Sequence, residues 1–315
     1  MQKTRIVFMG TPDFAVESAQ ALLTSGAEIA AVVTAADKPA GRGLQQRESA
    51  MKVWAQRNDL DILQPQNLQS PEFLQALKNL DADLFIVVAF KILPKEVFEI
   101  PHRGTINLHA SLLPKYRGAA PINWALIHGE KETGVTTFVI DEKVDTGALL
   151  LQKTTPIGEN ETFGELNTRL KKLGSITLVE TVRRYMAGEI QPRPQVGEPS
   201  RAPKLTPELR QIDWTQPGEK IRNLIRGLSP IPAAYTTLHG KNLKIFSCQA
   251  RTSETTNRPG EVVLVDAKAG VLEIGSGEGI VRLIEIQLEG KKRMDMKAFL
   301  RGRTVNVGDK VGQYE

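Results

Sequence analysis

ADLFIVVAFKILPKEVFEIPHRGTINLH, residues 82–109, is the stretch on which the fold turns. Apart from Asp83, the run from Ala82 to Phe90 is apolar without alternation, as expected of a strand buried on both faces at the centre of a parallel sheet. GTINLH (104–109) is a second β-prone run, and it ends on a histidine. Residues i and i+2 of a strand face the same side. An amide at Asn107 and an imidazole at His109 would therefore point into one space. Together they could hold a carbonyl oxygen and move a proton. The plainer alternative is a hydrogen-bonded pair that ties down the loop after the strand.

Working outward, β-like and helix-like runs alternate. RIVFMG (5–10), EIAAVVT (28–34), DIL (61–63), GVTTFVID (134–141) and ALLLQKTTPI (148–157) read as strands. Residues 14–26, 52–58, 70–80 and 162–188 carry helical spacing, with Ser70-Pro71 as N-cap and first position. Alternating β and α elements imply a doubly wound α/β unit with a parallel sheet. In such sheets ligands sit beyond the carboxyl ends of the strands, which is where Asn107 and His109 fall. Residues 189–208 are proline-rich and read as a stiff, extended linker. After a short helix at 218–228 come brief strands separated by HGK, DAKAG and GSGEG, the texture of a small β-barrel such as an OB-like fold. The reading is a first domain over 1–188, a linker over 189–208 and a second domain over 209–315.

Of 315 residues, 41% are hydrophobic and 24% charged, enough for real cores in two domains. A single cysteine, Cys248, rules out an internal disulfide framework and a cysteine-rich zinc site, and fits a reducing cytoplasm. No run approaches membrane-spanning length. Residues 1–204 carry 24 basic and 23 acidic residues, whereas 205–315 carry 17 and 13. The excess positive charge thus lies in the C-terminal third and reads either as a surface for a polyanionic partner or as plain solubility charge. Its densest part is 291–303, where Lys291, Lys292 and Arg293 lead six basic residues against one acid.

The first turn, MGTPDF, has one glycine and a proline where a dinucleotide fold needs G-x-G-x-x-G. That argues against a nicotinamide enzyme. No P-loop, HExxH or nucleophile elbow is present, and four histidines make no convincing metal set. Asp145, in a turn-like DTG, is either a turn residue or a carboxylate beside His109 that fixes its tautomer. DKPAGRGLQQR (37–47) is long for a βα loop. It reads as a surface excursion or as a basic arm reaching for phosphate.

MGTPDFAV, KPAGRG, NLHASLLPKYRGAAPINWA and VDTG together resemble the methionyl-tRNA formyltransferase family over essentially the whole chain. The resemblance implies a Rossmann-like catalytic domain and an OB-like tRNA-binding domain. It implies a catalytic trio of Asn107, His109 and Asp145. It places 10-formyltetrahydrofolate, as co-substrate, beside the trio and Ser111, Leu112, Leu113 and Pro114. It assigns the tRNA-reading loop to 38–43, with Lys38 and Arg42 as its cations. Phe90-Lys91 stands where relatives commonly carry an aromatic-glycine pair, so Phe90 is a variation at the folate pocket. The implied partners are folate and initiator methionyl-tRNA, for a monomer in the cytoplasm, with no membrane and no metal. Three rivals share parts of this pattern, one of them a folate hydrolase in which water replaces the amine. A nucleotide-sugar N-formyltransferase would use the same trio, and a catalytically silent RNA-binding module would keep only the fold.

Overall fold

The computed structural model describes residues 4–40, 45–253, 258–302 and 304–312, with the backbone alone at 38–40 and 45–47. They form two compact units. The first draws on the chain up to Ala119, on Thr133–Thr155 and on Asn167–Ala202. The second draws on Ala120–Glu132, Pro156–Leu166 and the chain from Pro203 on.

In the first unit β1 (Arg5–Gly10), β2 (Glu28–Val33), β5 (Ile62–Leu63), β6 (Leu84–Val88), β7 (Thr105–His109), β9 (Glu132–Val139) and β10 (Leu149–Pro156) build one sheet in the order β5–β2–β1–β6–β7–β9–β10. The first five in that order are parallel, and β9 runs antiparallel to β7. The strand order reverses between β1 and β6, so this is the doubly wound arrangement with a mixed edge. All five residues of β6 are buried, as its unbroken apolar run requires. It is shorter than the run 82–90, because Ala89 turns into the left-handed region at φ 49°. Short pairs β3/β4 (Lys38–Ala40 with Gln45–Arg47) and β8/β11 (Arg117–Gly118 with Arg201–Ala202) lie off the main sheet.

Helices cover both faces. Phe73 and Leu77 of α3 (Pro71–Asn79) and Val97 and Phe98 of α4 (Lys95–Phe98) pack with Val7, Met9, Phe85 and Val87. Asn107 stands beside Val87 in register and belongs to this face. On the other face Gly174 of α6 (Phe163–Met186) sits against Leu108; a Cβ there would lie 2.9 Å from a Leu108 methyl. The lone Gly10 has a similar explanation: a Cβ would come within 2.5 Å of that of Ala15, so the turn from β1 into α1 (Asp13–Thr24) needs glycine for packing. Lys52 of α2 (Ala50–Arg57) pairs with Asp37 and Glu48, and Thr34 bonds Ser49 at 2.8 Å, so the loop carrying β3 and β4 is clamped at its base.

The second unit is a barrel with a helical shoulder. Strands β12 (Ala234–Leu238), β13 (Lys241–Arg251), β14 (Val262–Asp266), β15 (Val271–Gly275) and β16 (Ile280–Leu288) pair antiparallel in the order β12–β13–β16–β15–β14, with β17 (Met294–Asp295) on β16 and α8 (Met296–Arg301) following. The last described stretch closes it. Val262 N donates to Asp309 O at 2.8 Å on one side, and Gly312 N donates to Thr237 O at 3.0 Å on the other. Closure removes the open edges. Cys248 lies in this core, and burial pushes its thiol up to about 12, so it is an inert core residue.

Part of this unit comes from the N-terminal half of the sequence. Helix α5 (Pro121–Ile127) packs on α7 (Gly218–Leu228), with Asn123 Nδ2 donating to Gly227 O at 2.8 Å. Arg222 donates to Glu159 O at 2.7 Å and Arg226 to Gly158 O at 3.2 Å. Gly227 lets the two helices approach: a Cβ would lie 2.7 Å from an Ile127 side-chain carbon and 3.2 Å from Asn123 O. Gly227→Val is therefore expected to destabilise the chain by about 1–3 kcal/mol through overpacking. Urea unfolding followed by circular dichroism reads this, and an unchanged midpoint would contradict the packing described.

Candidate active site

His109 closes β7 and is 7% exposed. Its Nε2 lies 2.8 Å from the Tyr116 carbonyl oxygen, and a carbonyl can only accept. The proton therefore sits on Nε2, and Nδ1 of the neutral ring carries the lone pair. Nδ1 lies 3.8 Å from Asp145 Oδ2, beyond a direct hydrogen bond. A lone pair and a carboxylate oxygen thus flank one gap, and both side chains are nearly buried. Such a gap suits an N–H group or a water that gives up a proton. The tautomer, which the sequence assigns to Asp145, is set here by Tyr116.

Asp145 comes from the loop between β9 and β10, and its backbone is left-handed at φ 54°. For an aspartate this conformation costs roughly 1–3 kcal/mol unless its surroundings hold it. Gly118 N donates to its Oδ2 at 2.8 Å. Gln195 Nε2 donates to two backbone oxygens, Asp145 O and Gly147 O, at 2.9 Å each. Gly147 itself is pressed onto β9; a Cβ would stand 1.8 Å from Val139 O. The DTG turn thus needs its glycine.

Asn107, half-buried, lies two residues before His109 on the same strand, with no hydrogen bond from its amide among the described residues. The loop after β7 consumes its own polar groups. Ser111 Oγ donates to Lys115 O at 2.6 Å, and Thr136 Oγ1 donates to Ser111 O at 2.6 Å. Leu113 is buried with Phe138 and Leu149, and Pro114 is buried too, which leaves Leu112 half-exposed. Phe90 is half-buried against the cluster of α3 and α4. Ile92, in the loop after β6, is 74% exposed, and Val144, next to Asp145, is 48% exposed. They leave apolar surface exposed in the loops that follow β6 and β9.

The sequence gives little sign of Tyr116, Gly118, Gln195 or Ser200. The first two lie inside a motif read for its histidine, and the last two inside a stretch read as a spacer. That stretch does not hang free. Arg193 and Leu149 exchange backbone bonds of 2.7 and 2.9 Å, and Arg201–Ala202 pairs with Arg117–Gly118. An extended proline-rich chain leaves its backbone groups unbonded, and so available for such pairing.

On the barrel, Lys291 and Lys292 are exposed, while Arg293 is held over the Phe246 ring at 4.2 Å and pairs with Glu285. A neighbouring groove of about 480 Å³ is lined by Arg210, Tyr235, Lys244, Gln287 and Gly290 among others. Lys38 is described by its backbone only, paired with Arg47 across β3 and β4, and Arg42 lies outside the described residues. Among the described residues no group of three or more His, Cys, Asp or Glu is placed to hold a metal ion, and no helix is long and apolar enough to cross a membrane.

An imidazole and a carboxylate thus share one gap at the carboxyl end of β7, and a closed barrel forms the second unit. Residues 4–182 match the Formyl transferase family model, and residues 204–304 match the Formyl transferase, C-terminal domain model. The methionyl-tRNA formyltransferase of Flavobacterium johnsoniae is 47% identical over 315 residues, covering 99% of this chain and all of that protein. That of Thermodesulfovibrio yellowstonii is 45% identical, covering 96% and 97%. This chain belongs to the methionyl-tRNA formyltransferase family. Among solved structures, HypX from Aquifex aeolicus in complex with tetrahydrofolic acid shares the fold at a TM-score of 0.64 and 20% identity; the match covers 95% of this chain and 47% of that one. WlaRD, a sugar 3N-formyl transferase solved with dTDP and 5-N-formyl-THF, gives 0.63 at 20% identity, covering 93% and 100%.

Gly147→Ala tests the turn. The added methyl meets backbone, so the loop must move, and Asp145 with it. The variant is expected to fold with stability lowered by about 1–3 kcal/mol and to lose most transfer activity. Wild-type turnover by this variant would show that the turn tolerates displacement.

Proposed function

We propose that this enzyme transfers the formyl group of 10-formyltetrahydrofolate to the α-amino group of methionine on initiator methionyl-tRNA, in the cytoplasm. The observation that carries the reading is the gap between His109 Nδ1 and Asp145 Oδ2, in a chain related end to end to methionyl-tRNA formyltransferases. The chemistry follows from the groups present. An α-amine has an ordinary pKa of about 7.7–8.0 and attacks only when neutral. His109 Nδ1 takes the amine's proton as the new C–N bond forms, and Asp145 stabilises the resulting imidazolium. Asn107 donates an N–H to the formyl oxygen as it gains negative charge. His109 then returns the proton to N10 of the folate as the old C–N bond breaks. Ile92, Val144 and Leu112 offer apolar surface for the folate rings, and the folate brings an already activated acyl group.

The loss of one oxyanion donor typically costs about 10²–10³ in kcat, and positioned proton transfer contributes about 10²–10⁴-fold. Asn107→Ala and Asp145→Asn are each expected to fall within those ranges while remaining folded. The assay measures formylmethionine made from charged initiator tRNA, with a charged elongator tRNA as control. Near-normal turnover by Asp145→Asn would remove the carboxylate from the mechanism, and formylation of an amino sugar instead of the tRNA would replace the acceptor.

For tRNA, the exposed Lys291 and Lys292 and the anchored Arg293, with Arg210 and Lys244 in the neighbouring groove, support binding through phosphates. Lys38 and Arg42 are the corresponding cations of the arm. Arg42→Ala is expected to lower kcat/KM for the initiator tRNA at least about tenfold, by the loss of one charged contact, with folate affinity unchanged. Equal turnover of wild type and variant would remove the arm from recognition.

A further inference from the structure

Between residues 191 and 200 every residue is exposed except Gln195 and Ser200. These two turn toward the site. Gln195 Nε2 bridges the carbonyls on either side of Thr146, and its Oε1 accepts from Arg117 Nη2 at 2.6 Å. Ser200 Oγ accepts from Tyr116 N at 2.9 Å, and Ser200 O accepts from Arg117 N at 2.9 Å. Tyr116 is left-handed at φ 62°, and its carbonyl accepts a hydrogen bond from His109 Nε2. Gly118 has φ 126° and lies so close to Ala202 O that a Cβ would come within 2.6 Å; its N–H holds the Asp145 carboxylate. One segment therefore fixes the backbone behind both partners of the gap.

We propose that Gln195 and Ser200 are positioning residues, and that the segment 193–202 is a strap that sets the separation of His109 and Asp145. This rests on the reading in which that pair handles the proton. Neither residue is placed to touch substrate. Their effect is geometric: both unfavourable backbone conformations, at Tyr116 and Asp145, are held by strap hydrogen bonds. A shift of about an ångström in a reacting pair can cost on the order of 100-fold.

The test uses the full chain. Gln195→Glu keeps the shape and the Arg117 partner but sets a carboxylate oxygen against two carbonyl oxygens. Gln195→Met keeps the shape and removes both functions without charge. Steady-state kcat and KM for both substrates are compared with those of Asp145→Asn, and melting temperatures are recorded. The expected result is a kcat lower by about 10–100-fold in both Gln195 variants, KM values within about threefold of wild type, and melting well above the assay temperature. If one variant melts too low to assay, the other is decisive. Wild-type kcat in the Gln195 variants, with Asp145→Asn inactive, overturns the strap and leaves the proton-transfer reading intact. Lowered melting with unchanged kcat also overturns it, because that marks a merely structural tie. An active Asp145→Asn overturns the reading and the strap together.

Discussion

The site depends on three consecutive residues, Tyr116 to Gly118. The carbonyl of the first accepts the His109 proton, and the amide of the third donates to the Asp145 carboxylate. With both ends fixed, the 3.8 Å spacing across the gap has little freedom. Two residues of this tripeptide have positive φ. Such a segment would relax if left alone, since each non-glycine residue held there costs of order 1–3 kcal/mol. It persists because β11 pairs with it from one side and the loop from β9 to β10 braces it from the other.

This arrangement explains why the scaffold is built around β6 and β7. Two neighbouring parallel strands, buried by their own composition, form a paired floor. On that floor the reacting groups can sit on irregular backbone, whose cost the surrounding contacts offset. β9 runs against β7, so Thr136 stands opposite His109 and supports the loop above through Ser111 and Leu113. The polar groups of the HASLLP stretch are largely satisfied within the loop. Its apolar side chains, Leu112 above all, are what it offers outward.

Much of this was legible in the sequence. A central strand within 82–90, the helix 218–228 and the spacing of Asn107 and His109 all follow from periodicity and composition. The DTG aspartate was legible only through resemblance, because spacing cannot show that a residue 36 positions further along reaches His109. The strap was missed for a physical reason. Proline-rich sequence signals extended backbone, and extended backbone is equally good as a spacer or as a strand laid on a partner. Only Gln195 and Ser200, polar residues among exposed neighbours, mark the difference, and neither stands out in composition. The arm showed the opposite pattern: its length was evident, but the residue singled out, Arg42, lies outside the described structure.

The interleaving of the second unit has a consequence for synthesis. Helix α5 and residues 156–166 leave the ribosome long before α7 and the barrel strands that complete their packing. During that interval Ile127, which packs on the barrel core, and Asn123, which bonds Gly227 O, lack the partners they acquire later. The nascent chain thus carries an apolar helix between two catalytic segments until its last third emerges. Completion of the second unit is thereby tied to completion of translation.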